Sequence, residues 1–307
     1  MKRRTALVMA LGVAAGSMAG ACTRSAEPPP GLRIAAGEPG GFYVEFARLL
    51  ARTLDATVGY TNGSHQNIAQ VHVGRATLGL SLADVAEAAV AGREPFGEPL
   101  PLRAIGRVYE NYMQLVVSAD SAISSVGDLA GRRISLGAAG SGAAIFGERL
   151  LASARVNARV DHNELSVATK RLARGEIDAL LWSGGVPTPA LTALSGSHAV
   201  RLLDLTTVLP ALLEAYDAPY HRVVIPAGTY GNTGPVATIG VPNLLLASRT
   251  LSADTAAAVA RTLVQQAPRL VPASALGTQY LELRSLIATG SVPLHPGAAD
   301  AYRELRG

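Results

Sequence analysis

Two glycine-rich turns carry the clearest chemical signal in this sequence, Gly37-Glu38-Pro39-Gly40-Gly41-Phe42-Tyr43 and Gly137-Ala138-Ala139-Gly140-Ser141-Gly142. Each stands between an apolar run and an amphipathic stretch, where a strand passes into a helix. The first N–H groups of a helix have no intrahelical partner and carry the positive end of its dipole, and a turn without side chains lets a ligand reach them. Two such turns facing across a cleft would hold a small carboxylate without an arginine. Other chemistries fail on spacing. Ile145 stands where a dinucleotide fingerprint needs its third small residue after Gly140 and Gly142. Ala139 and Ala143 replace the glycines of a nucleophile elbow around Ser141, and no histidine lies near it in sequence to act as a base. His65 and His72 are seven residues apart with no cysteine or histidine partner nearby, so they read as polar residues of the surface or cleft rim rather than a zinc site. No metal, no cofactor and no catalytic residue is expected. The lone Trp182 ends an apolar run, either as core or as a ligand-facing wall.

Short apolar runs alternate with amphipathic stretches, the pattern of an α/β fold with largely parallel sheets. Strands are predicted at 32–36, 58–61, 78–81, 102–108, 114–117, 133–136, 179–182, 201–203 and 237–246. Helices are predicted at 42–54, 65–73, 83–91, 142–154, 166–173, 187–194, 205–216, 253–266 and from 298 onward. The turns belong to an internal repeat. At an offset of 100, Arg33, Ile34, Gly37, Gly40, Phe46 and Leu50 match Arg133, Ile134, Gly137, Gly140, Phe146 and Leu150; at an offset of 101, the stretch from Gly74 to Leu80 aligns with that from Gly175 to Leu181. Duplication, or convergence of two βαβ units on the same turn chemistry, both give two α/β lobes of similar build.

The chain has 307 residues, 49% hydrophobic and 16% charged, with a formal charge of +4. Lys2, Arg3 and Arg4 supply most of that charge and open a segment with the order of an export signal: a basic start, an apolar run through Ala15 and small residues up to Cys22. Its apolar run is too short to span a bilayer. Ala19-Gly20-Ala21-Cys22 resembles a lipobox, with Ala19 in the usual leucine position; the alternatives are an ordinary cut near Ala21 or, from Arg3-Arg4, a twin-arginine signal. Residues 1–21 thus read as the signal peptide and 22–31, with Pro28-Pro29-Pro30, as a tether lipid-anchored at Cys22. Without the signal, 24 basic residues face 23 acidic ones and Lys170 is the sole lysine, which argues against nucleic-acid binding. With one cysteine no internal disulfide can form, so stability must come from the core.

The first turn, Thr61-Asn62-Gly63-Ser64-His65-Gln66-Asn67, Val116 to Ser121 through Gly131-Arg132-Arg133, Gly140-Ser141-Gly142, Gly184-Gly185-Val186-Pro187-Thr188-Pro189-Ala190, Ile225 to Tyr230 and His295-Pro296-Gly297-Ala298 follow in an order that resembles the TAXI family of solute receptors for tripartite ATP-independent periplasmic (TRAP) transporters. The resemblance spans nearly the whole mature chain. It implies a type II periplasmic-binding-protein fold, two α/β lobes with a ligand cleft between them, lobe 1 at 32–113 plus 237–307 and lobe 2 at 114–236. It implies a monomeric periplasmic receptor for a small carboxylate, often glutamate or a dicarboxylate or keto acid, serving a TRAP membrane component; a lipoprotein sensor feeding a signalling kinase would use the same pocket. Carried over by position, the ligand residues are Gly41, Phe42, Tyr43, Ser64, Asn67, Ser141, Gly142, Gly185 and Pro187, with Trp182 and Asp84 added. Ser64 would cap its helix and offer its hydroxyl to the ligand, or cap alone. Asn67 would donate and accept, Phe42 and Tyr43 would wall the carbon skeleton or pack the core, and Asp84 would bind a ligand amine or cap its helix. Phe42 stands where threonine is usual, and Leu82-Ala83 where Gln-Ser is usual before the aspartate, so the pocket is greasier than its relatives'.

Overall fold

The computed structural model describes residues 31–306; the export signal, Cys22 and all of the tether but Gly31 lie outside the described residues. Chain order opens with β1 (Arg33–Ala35), α1 (Phe42–Leu54), β2 (Thr57–Gly59), α2 (Ser64–His72), β3 (Leu78–Leu82) and α3 (Ala83–Ala91). The long strand β4 (Leu102–Ser118) then leads to β5 (Arg133–Ser135), α4 (Gly142–Ser153), β6 (Arg159–Asp161), α5 (Leu165–Ala173), β7 (Ala179–Gly184), α6 (Pro189–Ser197), β8 (Val200–Leu203), α7 (Leu209–Ala215) and β9 (His221–Ile225). A second long strand, β10 (Val236–Ser248), returns to α8 (Ala253–Gln265), and the chain closes on a helix over Pro296–Glu304.

The strand order is β2-β1-β3-β10-β4-β7-β5-β6, with β8 on β4 and β9 on β10. At one end β1 lies between β2 and β3, all parallel; at the other β5 lies between β6 and β7, all parallel. Ile34 pairs with Val58 and Leu78, and Ile134 pairs with Val160 and Ala179, so the offset seen in the sequence is also a register of the sheet. Burial repeats as well: from 33 to 50 and from 133 to 150 every position has the same burial class. These are the two lobes of a type II periplasmic-binding-protein fold.

β4 and β10 join the lobes as one antiparallel pair, from Leu102–Ser248 at one end to Tyr112–Gly240 at the other. β10 pairs with β3 through Asn243 to Ala247 and with β9 through Val236 to Gly240, so the change of lobe falls between Gly240 and Asn243. Here the structure differs from the sequence expectation: the strands predicted at 102–108 and 114–117 are one, and β6 and β9 were not foreseen.

Each helix packs by its apolar stripe. In α1, Phe42, Phe46, Leu50 and Leu54 recur every fourth residue and are buried, and the helix stops at Asp55 in the left-handed region. A core of Ile34, Phe46, Leu50, Tyr109 and Leu245 fills lobe 1, and a second of Leu172, Leu180, Leu191 and Ile225 fills lobe 2. A third layer, with Val71, Leu82, Met113, Leu115, Phe146 and Leu150, runs continuously beneath the crossing strands from one lobe into the other. Among the described residues no helix is long and apolar enough to cross a membrane, and no group of three or more His, Cys, Asp or Glu is placed to hold a metal ion.

Candidate functional site

The lobes meet over a cavity of about 30 Å³. On its lobe 1 side stand the turn Gly37, Glu38 and Gly41, the start of α1 at Phe42 and Tyr43, the start of α2 at Asn62, Gly63 and Ser64, and Leu82. On its lobe 2 side stand Ser141, Gly142 and Ala143 at the start of α4, with Trp182 and Ser183 on β7. Asn111, on the crossing strand β4, forms the floor between them. A water needs roughly 10–15 Å³ of such space, so in this conformation the lobes are closed to about two waters' room.

The sequence builds this convergence through backbone that only glycine supplies. Gly63, the residue before α2, has φ 114 and ψ −148, a conformation open to glycine alone, and faces Ser141 across the cleft. At Gly142 a Cβ would lie 2.5 Å from Leu82 and 2.8 Å from the Ser64 hydroxyl oxygen of the opposite lobe. The helix starts therefore approach more closely than any side chain would allow. Ser141 caps α4 by accepting the Ala144 N–H at 3.1 Å, while the N–H groups of Gly142 and Ala143, like those of Phe42, Tyr43 and Ser64, fall in the first turns whose donors have no intrahelical acceptor.

Eight polar side chains border the cavity, Glu38, Tyr43, Asn62, Ser64, Asn111, Ser141, Trp182 and Ser183, and none is basic. Tyr43 and Ser64 share a hydrogen bond of 3.3 Å, and burial holds the Tyr43 phenol well above its ordinary range, so it stays neutral. Asn111 donates from Nδ2 to the Ser183 hydroxyl at 2.9 Å, and its buried Oδ1 has no partner. Glu38, only 6% exposed, accepts the Leu165 N–H of α5 on Oε2 at 2.5 Å, a bond across the cleft; its Oε1 has no partner. Burial raises the Glu38 carboxyl to about 7, against the pull of the Leu165 N–H and with a further push from Glu164.

Seven of the eleven expected residues come together here: Gly41, Phe42, Tyr43, Ser64, Ser141, Gly142 and Trp182. Four do not line the cavity. Asn67 is fully buried on the inner face of α2, donating to the carbonyls of Ala36 and of Leu80 (2.7 Å) and accepting the Thr61 hydroxyl at 2.6 Å, so its bonding capacity is spent tying α2 to the sheet. Asp84 faces a different groove, bonded on Oδ2 to Arg149 of α4 at 2.9 Å and to the Tyr220 hydroxyl at 2.7 Å. Burial raises its carboxyl, and Arg149 and Tyr220 draw it back. Gly185 lies against the Phe42 ring of the opposite lobe, and Pro187 follows it in the loop before α6. Ser64 also departs from expectation: Gly63 is the cap residue of α2 and no side chain caps it, while the Ser64 hydroxyl accepts the Leu82 N–H at 3.1 Å.

Glu38, Asn111 and Ser183 were not foreseen as site residues. Glu38 lies inside the same turn as Gly41, Phe42 and Tyr43, and an acidic side chain in an anion cradle is the signal that marks it. Asn111 falls in the gap between two predicted strands, and a polar pair, Glu110-Asn111, in the buried middle of one long strand is the signal that marks it.

The profile of the NMT1-like family matches residues 34–305, and the chain belongs to that family. Among solved structures, one from Bordetella bronchiseptica RB50 is similar at 15% identity over 91% of this chain and 99% of that one, with a TM-score of 0.56. The periplasmic aliphatic sulphonate binding protein SsuA from Escherichia coli is 19% identical over 90% of this chain and 83% of its own, with a TM-score of 0.45. The GluR0 ligand-binding core in complex with L-glutamate is 12% identical over 79% and 97%, with a TM-score of 0.49. At 15% identity the likeness to the Bordetella structure speaks to the fold alone.

Proposed function

We propose that this member of the NMT1-like family is an extracytoplasmic solute receptor that captures a small carboxylate by closure of its two lobes and delivers it to a membrane transport component. It is a binding protein, not an enzyme. The observation that carries the reading is the meeting of three helix N-termini, α1 and α2 from one lobe and α4 from the other, on one cavity with no basic side chain. Unpaired N–H groups and dipole ends supply the positive potential that an arginine would otherwise provide. Because donors come from both lobes, a carboxylate that bridges them stabilises the closed form over the open one, and a ligand touching one lobe does not.

The closed cavity is smaller than any amino acid or keto acid, so such a ligand enters an opened cleft and holds the lobes slightly farther apart than they stand here. Phe42, Leu82 and Trp182 wall it, which suits a short carbon skeleton and disfavours a heavily hydroxylated one. The transport partner rests on the motif resemblance, which points to a TRAP membrane component, and the lipid anchor on the sequence around Cys22. The test is a thermal-shift screen of the purified protein against small carboxylic acids and uncharged solutes. A ligand at 100 times its Kd adds about 2.7 kcal/mol to stability. Stabilisation by one or more carboxylates and by no neutral solute is expected; stabilisation only by neutral solutes refutes the reading.

A further inference from the structure

We propose that the cleft is built for a monocarboxylate that also carries an N–H donor, an amino acid in its zwitterionic form, and that Glu38 and Asn111 select it against dicarboxylates and keto acids. This narrows the carboxylate reading above and rests on it.

The pseudo-symmetry of the lobes exposes the logic. α5 is the counterpart of α2, its first residue Leu165 standing 101 positions after Ser64, the same offset that relates β7 to β3. Two symmetric lobes would bring four helix N-termini to the cleft. Three of them border the cavity, but the fourth, that of α5, is already taken by a carboxylate of the protein itself: Oε2 of Glu38, reaching across from the opposite lobe. A ligand with one carboxylate has helix termini left to use. A second carboxylate would arrive where Glu38 already sits.

The turn does not need Glu38 for its own sake. Its counterpart in lobe 2 is Ala138, buried to the same degree in a turn of the same burial pattern. What Glu38 adds is Oε1, an acceptor without a partner on a side chain that borders the cavity, and Asn111 adds a second, Oδ1. Both side chains are more than nine-tenths buried. Unpartnered buried acceptors are costly, and a ligand ammonium or N–H is the group that satisfies them. A ligand carboxylate or keto oxygen there would set acceptor against acceptor, with no Lys, Arg or His on the cavity wall to mediate.

Ionisation of Glu38 gives the inference a direction in pH. The charged group that acts on it is Glu164, at the start of α5, and Tyr43 of α1, on the same cavity wall, remains neutral. With its carboxyl raised to about 7, an ammonium ligand binds the ionised form, so affinity rises as pH increases through that value. A second carboxylate would bind the protonated form and weaken over the same range.

The experiment is calorimetric titration of the purified protein with the twenty amino acids, their 2-oxo acid counterparts, succinate and glutarate. At least one amino acid should bind roughly tenfold or more tighter than its own 2-oxo acid and than either dicarboxylate. Glu38→Gln, which keeps an acceptor for the Leu165 N–H and turns the free oxygen into an amide donor, should lose that preference by weakening the amino acid and strengthening its 2-oxo acid, and should flatten the pH dependence. Asn111→Ala should weaken the amino acid alone, and it carries the test if the first variant does not fold. A 2-oxo acid or dicarboxylate bound as tightly as the best amino acid, an unchanged preference in both variants, or affinity that falls with rising pH overturns the inference while leaving the carboxylate reading intact. If no acid in any set binds, both fall.

Discussion

Closure of the lobes can be opposed at one atom. Gly185, on the lobe 2 side, packs so closely on Phe42 of lobe 1 that a Cβ placed there would lie 2.5 Å from two ring carbons and 2.8 Å from a third. Ordinary contact needs about 1 Å more. The Phe42 ring cannot give way easily, since it is 1% exposed and lies 4.9 Å, centroid to centroid, from the buried Tyr109. Gly185 does not occupy the left-handed region, so alanine carries no backbone penalty of its own there. Overpacking of this kind costs about 1–3 kcal/mol. The strain exists only when the lobes touch, and opening relieves it. Gly185→Ala should therefore shift the open–closed balance, and with it the ligand Kd, by roughly 5- to 140-fold toward weaker binding. Calorimetry on the best carboxylate from the screen reads the affinity, and small-angle X-ray scattering reads the larger radius of gyration. Unfolding of the separate lobe cores should be little changed. Unaltered affinity and scattering, with the whole cost appearing instead as a lowered unfolding midpoint, would show that this contact belongs to one rigid body and would refute the argument.

Two further outcomes follow from the same interface and its hinge. Arg149→Leu strips the buried Asp84 carboxylate of its cross-lobe cation and should disfavour the closed form by about 3–5 kcal/mol near neutral pH, read in calorimetry as weaker binding of the best carboxylate; the deficit should shrink as pH falls and Asp84 takes up a proton, and a loss that stays constant with pH contradicts this account. At the hinge, His221 of β9 lies 3.3 Å from the buried Glu110, which raises the imidazole above its ordinary value. A raised folded pKa gives stability that is complete below the unfolded value near 6.5 and is lost as pH climbs through the folded one, so the stability gap between the protein and His221→Gln should be widest in mild acid and close in mild alkali. A gap independent of pH would remove the ion pair from the explanation.

The two lobes and their turns were legible because local chemistry specifies them. A buried parallel strand must be apolar, a helix start must expose donors, and glycine at 37, 40, 137 and 140 marks where one becomes the other. α1 and α3 fall at their predicted bounds. Elements whose identity depends on distant partners were not legible. β6 is three residues long with no fully buried position, and β9 alternates half-buried and exposed residues up to the buried Ile225, because both pair at a margin of the sheet. β4 looked like two strands because Glu110 and Asn111 break its apolar run. They are tolerated there because the strand crosses between lobes, where Glu110 meets His221 and Tyr280 and Asn111 meets Ser183 at the cavity floor. Asn67 and Asp84 show the opposite error. Their polarity drew them into the expected site, yet one rivets α2 to backbone carbonyls and the other ties the lobes together.

The capacity to discriminate resides where the repeat fails, not where it holds. From 33 to 50 and from 133 to 150 the lobes bury their residues alike, so each alone would present the same shallow anion cradle. The differences are at the rim. Phe42 and Tyr43 open α1 where Gly142 and Ala143 open α4, and Glu38 stands where lobe 2 has Ala138. Large residues on one side and small ones on the other let the helix starts interlock, which reduces the closed cavity to about 30 Å³. The single acid on one side gives that cavity a polarity, with helix donors along its walls and free acceptors at Glu38 and Asn111. A symmetric pair of lobes would bind a small anion in either orientation; this pair distinguishes one end of its ligand from the other, and the distinction depends on residues that make no contribution to the fold of the turn.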